Sequence, residues 1–67
     1  MIGNKDEKRE RLAKLVEMIA AEPGLTQAKV GRKLGVHRAT VLKDLIKLSE
    51  LGVRLSEDDR GGLYLEN

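Results

Sequence analysis

The sequence predicts a mainly α fold in which three helices form a small bundle and a short β-hairpin follows. Three observations carry that expectation. Apolar residues recur at three- and four-residue spacing in three successive stretches. Pro23-Gly24, Gly35 and Gly52 punctuate the chain after each of them. Beyond Gly52 the pattern changes to brief alternating runs on either side of a polar, glycine-closed hexapeptide.

Helix one is expected over residues 5–21, because Leu12, Leu15, Val16 and Ile19 make one apolar stripe between charged residues. Its first turns mix Asp6, Glu7 and Glu10 with Lys8, Arg9, Arg11 and Lys14, at spacings where opposite charges support a helix slightly. Pro23 disfavours helical angles at Glu22, and Gly24 accepts the positive φ of a helix exit. Helix two is expected over residues 26–34, with Thr26 as N-cap, a small-and-apolar face of Ala28, Val30, Gly31 and Leu34, and Gly35 as the stop. Helix three is expected over residues 37–51, opened by His37 or Arg38, with a wide stripe of Val41, Leu42, Leu45, Ile46, Leu48 and Leu51. A hairpin over residues 53–65 completes the chain, its arms Val53 to Ser56 and Leu63 to Leu65. Tyr64, the one aromatic residue, is expected to pack that hairpin against helix one.

Size and composition remove several classes of function. Sixty-seven residues suit one domain, residues 1–67, and a chain this short buries only about 60% of the surface its unfolded form exposes. A large catalytic cleft does not fit in such a core. With no cysteine and a single histidine, neither a disulfide framework nor a zinc site of the usual ligands is available. No Ser/His/Asp set, paired carboxylate cleft or glycine-rich phosphate loop is visible, so neither an enzyme nor a cofactor is expected. No apolar run approaches the roughly 20 residues of a membrane span, and the N-terminal residues lack a signal peptide's apolar stretch. The expectation is a soluble chain of the cytoplasm.

Charge is unevenly distributed. Residues 26–47 carry Lys29, Arg32, Lys33, Arg38, Lys43 and Lys47 against Asp44 alone, a formal +5 with His37 neutral. Residues 1–25 balance to zero and residues 48–67 sum to −3. A central basic block of this kind suits a polyanion, because each Lys or Arg near a phosphate releases condensed counterions. Charge alone fits a solvated helix face equally well.

Two short helices joined by Gly35-Val36 narrow the choice. Such a pair must cross closely and leave the outer face of its second helix free, and Gly31 and Gly35 supply the small residue and the turn this needs. The stretch from Gln27 to Leu45, with its Thr40-Val41-x-Lys43-Asp44-Leu45-x-x-Leu48 run and the later Gly62-Leu63-Tyr64-Leu65, resembles the bacterial and archaeal winged helix-turn-helix family. It is most like the DNA-binding domains of DeoR-like repressors and of the biotin-operon repressor. The resemblance spans nearly the whole chain and implies a three-helix bundle with a C-terminal wing. Gly31 stands where the family usually has Ala, and His37 where it commonly has a Ser cap. The wing tip, Glu57-Asp58-Asp59, is acidic where family members often touch phosphate.

The resemblance implies sequence-specific binding of double-stranded DNA and a role in transcriptional regulation. Arg38, Ala39 and Lys43, at the start and outer face of helix three, would meet base edges, Arg and Lys suiting the guanine acceptors. Thr40 and Lys47 would reach flanking phosphates, and Thr26 and Gln27 would set the N-terminus of helix two against another. His37 is grouped with them, although capping the helix is its plainer role. Arg60 is the one basic residue of the tip, placed to enter a minor groove or to pair with Asp58 or Asp59. Leu42 is expected to pack on the hairpin rather than touch a thymine methyl. With one Tyr and neither Phe nor Trp, stacking on unpaired bases is poorly supplied, which favours duplex DNA. One unit covers a half-site, so specific binding calls for a homodimer, with the exposed part of helix one as the natural contact. The same residues suit the N-terminal piece of a longer regulator with a separate effector-sensing domain. The expected location is the cytoplasm, on the nucleoid. The rival reading keeps the fold and makes it a protein-interaction module without specific DNA binding.

Overall fold

The structure, a computed structural model, describes residues 4–66. Six elements follow one another: α1 (Asn4–Ala21), β1 (Leu25–Thr26), α2 (Gln27–Leu34), α3 (Arg38–Glu50), β2 (Leu55–Glu57) and β3 (Gly62–Leu65). The fold is mainly helical with a small antiparallel sheet, a winged helix-turn-helix.

The three apolar stripes meet in one core. Leu12, Leu15 and Ile19 of α1 are buried with Leu25, with Val30 of α2, with Val41, Leu45 and Leu48 of α3, and with Leu63 of β3. Each such side chain is worth about 1.5–3 kcal/mol relative to leaving it in water, against a net stability of roughly 3–10 kcal/mol for a domain of this length. Few contacts are therefore spare.

The sheet is larger than the expected hairpin. Leu25 and Thr26 form a third strand, and β3 lies centrally in the order β1-β3-β2. Leu25 pairs with Leu63 and Thr26 with Gly62, while the Gly24 N–H donates to the Leu63 carbonyl at 2.9 Å. Two residues are too few for an alternating pattern, so only tertiary pairing reveals the strand. The first hairpin arm also starts later than expected. The Val53 N–H turns back to the Leu48 carbonyl at 2.9 Å and closes the end of α3, which leaves Leu55–Glu57 to pair with β3.

The two short helices are joined as their sequence requires. Thr26 takes extended angles at the N-cap of α2, and its Oγ1 accepts from the Lys29 N–H at 3.3 Å. Gly35 ends the helix in the left-handed region at φ 73°, ψ 31°, a conformation that costs a residue with a Cβ about 1–2 kcal/mol. The Val36 N–H then donates to the Gly31 carbonyl at 2.9 Å, and α3 starts two residues later. His37 occupies the N-cap by its backbone, with its carbonyl accepting from Thr40 and Val41, but its side chain makes no capping bond. The cap position is as expected, but the side-chain bond is absent: the preferred caps are short oxygen-bearing side chains, and the imidazole does not replace one here.

Gly31 is where α2 and the start of α3 come closest. A Cβ there would lie 2.8 Å from the Val36 carbonyl oxygen and 3.5 Å from Val41 Cγ2. An ordinary helical Gly→Ala change gains about 1 kcal/mol of propensity. Here the backbone contact outweighs that gain, and Gly31→Ala is expected to cost a net of about 1–3 kcal/mol, the usual range for overpacking. Thermal unfolding checks the sign, and a Gly31→Ala chain that melts higher than the parent contradicts the close crossing.

Candidate nucleic-acid interface

Four residues of α3 face inward: Val41, Leu45 and Leu48 join the core, and Asp44 lies beside them at 1% exposure. Arg11 of α1 meets that carboxylate with both nitrogens of its fork, Nε donating to Oδ2 at 2.5 Å and Nη2 to Oδ1 at 3.1 Å. These hydrogen bonds raise the Arg11 pKa above its ordinary value, so the pair stays charged on the cationic side. Sequence reasoning missed this pair. The available signal was an aspartate at the three- and four-residue spacing of the Val41/Leu45/Leu48 stripe, a position that demands a partner.

The pair also changes the surface. Asp44 is the one acidic residue among positions 26–47, and it is withdrawn into the interior. Lys29, Arg32, Lys33, Arg38, Lys43 and Lys47 all remain exposed. The basic block therefore meets solvent without an offsetting carboxylate of its own.

The outer side of α3, opposite its buried residues, carries Ala39, Leu42, Lys43 and Ile46, all exposed. Arg38 lies to the wing side of this face, and the helical repeat puts half-buried Thr40 and exposed Lys47 on the opposite flank. Thr26, Gln27, Arg38 and Arg60 line one shallow hollow between α2, α3 and the wing tip, together with Ala28, Glu57 and Gly61. Sequence placed Thr26 and Gln27 together at the start of α2; the approach of Arg38 and Arg60 to them comes from the crossing of α3 and the turn of the wing. His37 stands exposed just before α3.

A family model for an HTH domain, a helix-turn-helix, matches residues 11–62, well over half of the chain. The chain belongs to that family. No curated protein and no solved structure gave a match. The helix-turn-helix family is a DNA-binding family rather than an enzyme family, which gives duplex DNA as the class of partner. Among the described residues no cluster of three metal-ligating side chains occurs, and no helix is long and apolar enough to cross a membrane.

In this winged helix-turn-helix the wing is tied by one carboxylate. Asp58 Oδ1 accepts the backbone N–H groups of Arg60 at 2.9 Å and Gly62 at 2.8 Å, and Oδ2 accepts the Tyr64 hydroxyl at 2.7 Å. The Tyr64 bond, followed by those two N–H groups, holds the Asp58 carboxyl below its ordinary pKa, and the same bond raises the Tyr64 phenol. This contribution to the wing is present above the ordinary carboxylate range. It fades as pH falls through the lowered Asp58 value, or as pH rises through the raised Tyr64 value.

Two expectations, for Arg60 and Leu42, are corrected here, and the packing of Tyr64 against α1 holds with a second role added. Arg60 pairs with neither Asp58 nor Asp59 through its guanidinium: the ion pairs among the described residues are Arg11–Asp44 and Lys33–Glu22, and it is the Arg60 backbone that binds Asp58. Tyr64 does lie beside Ile19, Ala20 and Pro23 at the end of α1, but its hydroxyl serves the wing turn. Leu42 lines an open groove with Leu55 and Leu63 yet stays 48% exposed, because the short wing does not reach over it.

Removing one partner of a buried ion pair leaves an uncompensated charge, at a typical cost of about 3–5 kcal/mol. Arg11 keeps 27% of its side chain exposed, which lets water reach the pair and favours the low end of that range. Arg11→Met is expected to lose about 3 kcal/mol in urea unfolding, and Arg11→Met with Asp44→Leu to recover most of it. A double variant no more stable than Arg11→Met contradicts the assignment.

Proposed function

We propose that this domain binds double-stranded DNA sequence-specifically, with α3 in the major groove, as a transcriptional regulator or the DNA-binding part of one. The observation that carries the reading is the exposed basic block around the outer face of α3, whose one acidic residue among positions 26–47 is withdrawn by the Arg11–Asp44 pair. In this reading Arg38 and Lys43 meet base edges beside Ala39, while Thr40 and Lys47 hold one flanking phosphate backbone. Thr26, Gln27, Arg38 and Arg60 share a hollow in which two cations and the start of α2 would meet a phosphate of the other flank, against the single carboxylate of Glu57. Arg60 then acts on the backbone rather than in the minor groove.

A single copy reads a half-site, so an operator with half-sites about one helical turn apart engages two copies. The charged first half of α1, with Glu7 to Glu10 exposed and outside the core, is the surface left for that contact. Such a protein works in the cytoplasm on the nucleoid, either by itself or as the DNA-binding part of a longer regulator that carries an effector-sensing domain. A second reading, a protein-docking winged helix, is favoured by two observations: Leu42, Ile46 and Leu51 are exposed, and Glu57 and Asp59 leave the wing tip acidic.

Binding to a random duplex library across a salt series, with recovery of what is retained, separates the two. The regulator reading expects an enriched sequence and a steep fall of affinity with salt. Arg38→Ala is expected to lower affinity for that sequence about tenfold and relax preference at one position. Lys47→Ala is expected to weaken all duplexes alike and reduce the salt slope by about one. Weak binding with no enriched sequence favours the docking reading.

A further inference from the structure

The outer face of α3 is not the uniformly basic surface that the charge count suggests. Ala39, Leu42 and Ile46 lie along it at three- and four-residue spacing, and the two larger side chains are 48% and 53% exposed. Two large aliphatics four residues apart, each about half exposed beside the groove to the wing, leave apolar surface that the fold does not cover. Their strip spans seven residue steps, about 10 Å along the helix. That length matches about three base-pair steps of duplex at 3.4 Å each. Cations border it on both sides, Arg38 on the wing flank and Lys47 on the other with Lys43 rising within the face, and they outnumber the carboxylates of Glu57 on the wing side and Glu50 one turn beyond Ile46.

This arrangement selects its occupant. A second copy docked on the same face would bring Arg38, Lys43 and Lys47 against their own like charges, whereas a polyanion with an apolar interior satisfies both parts at once. The major groove of A·T-containing duplex is such a surface: its walls carry phosphates and its floor carries the C5-methyl group of each thymine. We infer that Ala39, Leu42 and Ile46 read thymine methyl groups, so that the half-site of this protein contains two or more thymines, on either strand, within the three steps under the strip. Lys43 adds a polar contact within the same stretch, and guanine O6/N7 is the acceptor that suits it. Methyl contact then adds to the specificity supplied by the hydrogen bonds of Arg38 and Lys43. The inference rests on the DNA-binding reading and adds to it the class of sequence recognised.

The test uses the full chain and its selected duplex. Each thymine of the enriched core is replaced in turn by deoxyuridine, which keeps base pairing and removes only the methyl group. The parent chain is expected to lose about fourfold in affinity for each contacted methyl, the effect of one buried carbon. Leu42→Ala, at a position exposed enough that folding does not depend on it, is expected to make at least one of those replacements neutral. An enriched core without thymine overturns the inference and leaves DNA binding standing, as does an affinity unchanged by every deoxyuridine. If no sequence is enriched at all, the DNA-binding reading fails and this inference fails with it.

Discussion

Asp44 places a carboxylate in the middle of α3 on the side that faces the core, and Arg11, thirty-three residues earlier, reaches across from α1 to hold it with two hydrogen bonds. Burying a lone carboxylate is costly enough that α3 has little freedom to roll about its axis without exposing Leu45 and Leu48 or stranding Asp44. The ion pair thus fixes rotation, whereas the apolar contacts of Val41, Leu45 and Leu48 fix distance. With rotation set, Ala39, Leu42, Lys43 and Ile46 must point away from the bundle. The same contact removes the one negative charge that would have diluted the basic block. Orientation and electrostatics of the outer face of α3 therefore share a single origin.

The close crossing of α2 and α3 is the second constraint, and it was the most legible part of the sequence. Gly31 and Gly35 announce it because each supplies something no other residue can: space against the Val36 carbonyl, and a left-handed angle. Thr26 announced the start of α2 for an equally local reason, the reach of its hydroxyl to Lys29. The features that escaped were set by residues far apart in the chain. Strand β1 exists only because β3 returns beside Leu25, and Asp44 is satisfied only because α1 crosses near it. Leu42 and Ile46 read as core because their spacing is helical; whether a stripe is covered depends on how far the wing reaches, which periodicity does not encode.

The wing illustrates how a charged segment can be partly structural. Asp58 spends both carboxylate oxygens on the turn and on Tyr64, so its charge belongs to the architecture of the hairpin. Glu57 and Asp59 remain at the tip, and Arg60 projects from the same turn toward the hollow it shares with Arg38. Glu57 borders that hollow as well, so the side of the wing turned to α2 and α3 carries both signs of charge.

The central claim is that α3 and the N-terminus of α2 together form the surface that meets DNA. The most direct measurement is an amide 1H–15N NMR titration of the chain with a short mixed-sequence duplex. Shifts concentrated at Thr26 to Ala28 and along the outer face from Arg38 to Lys47, with the first turns of α1 unmoved, are the predicted result. Shifts that gather on α1 and spare α3 would contradict the account.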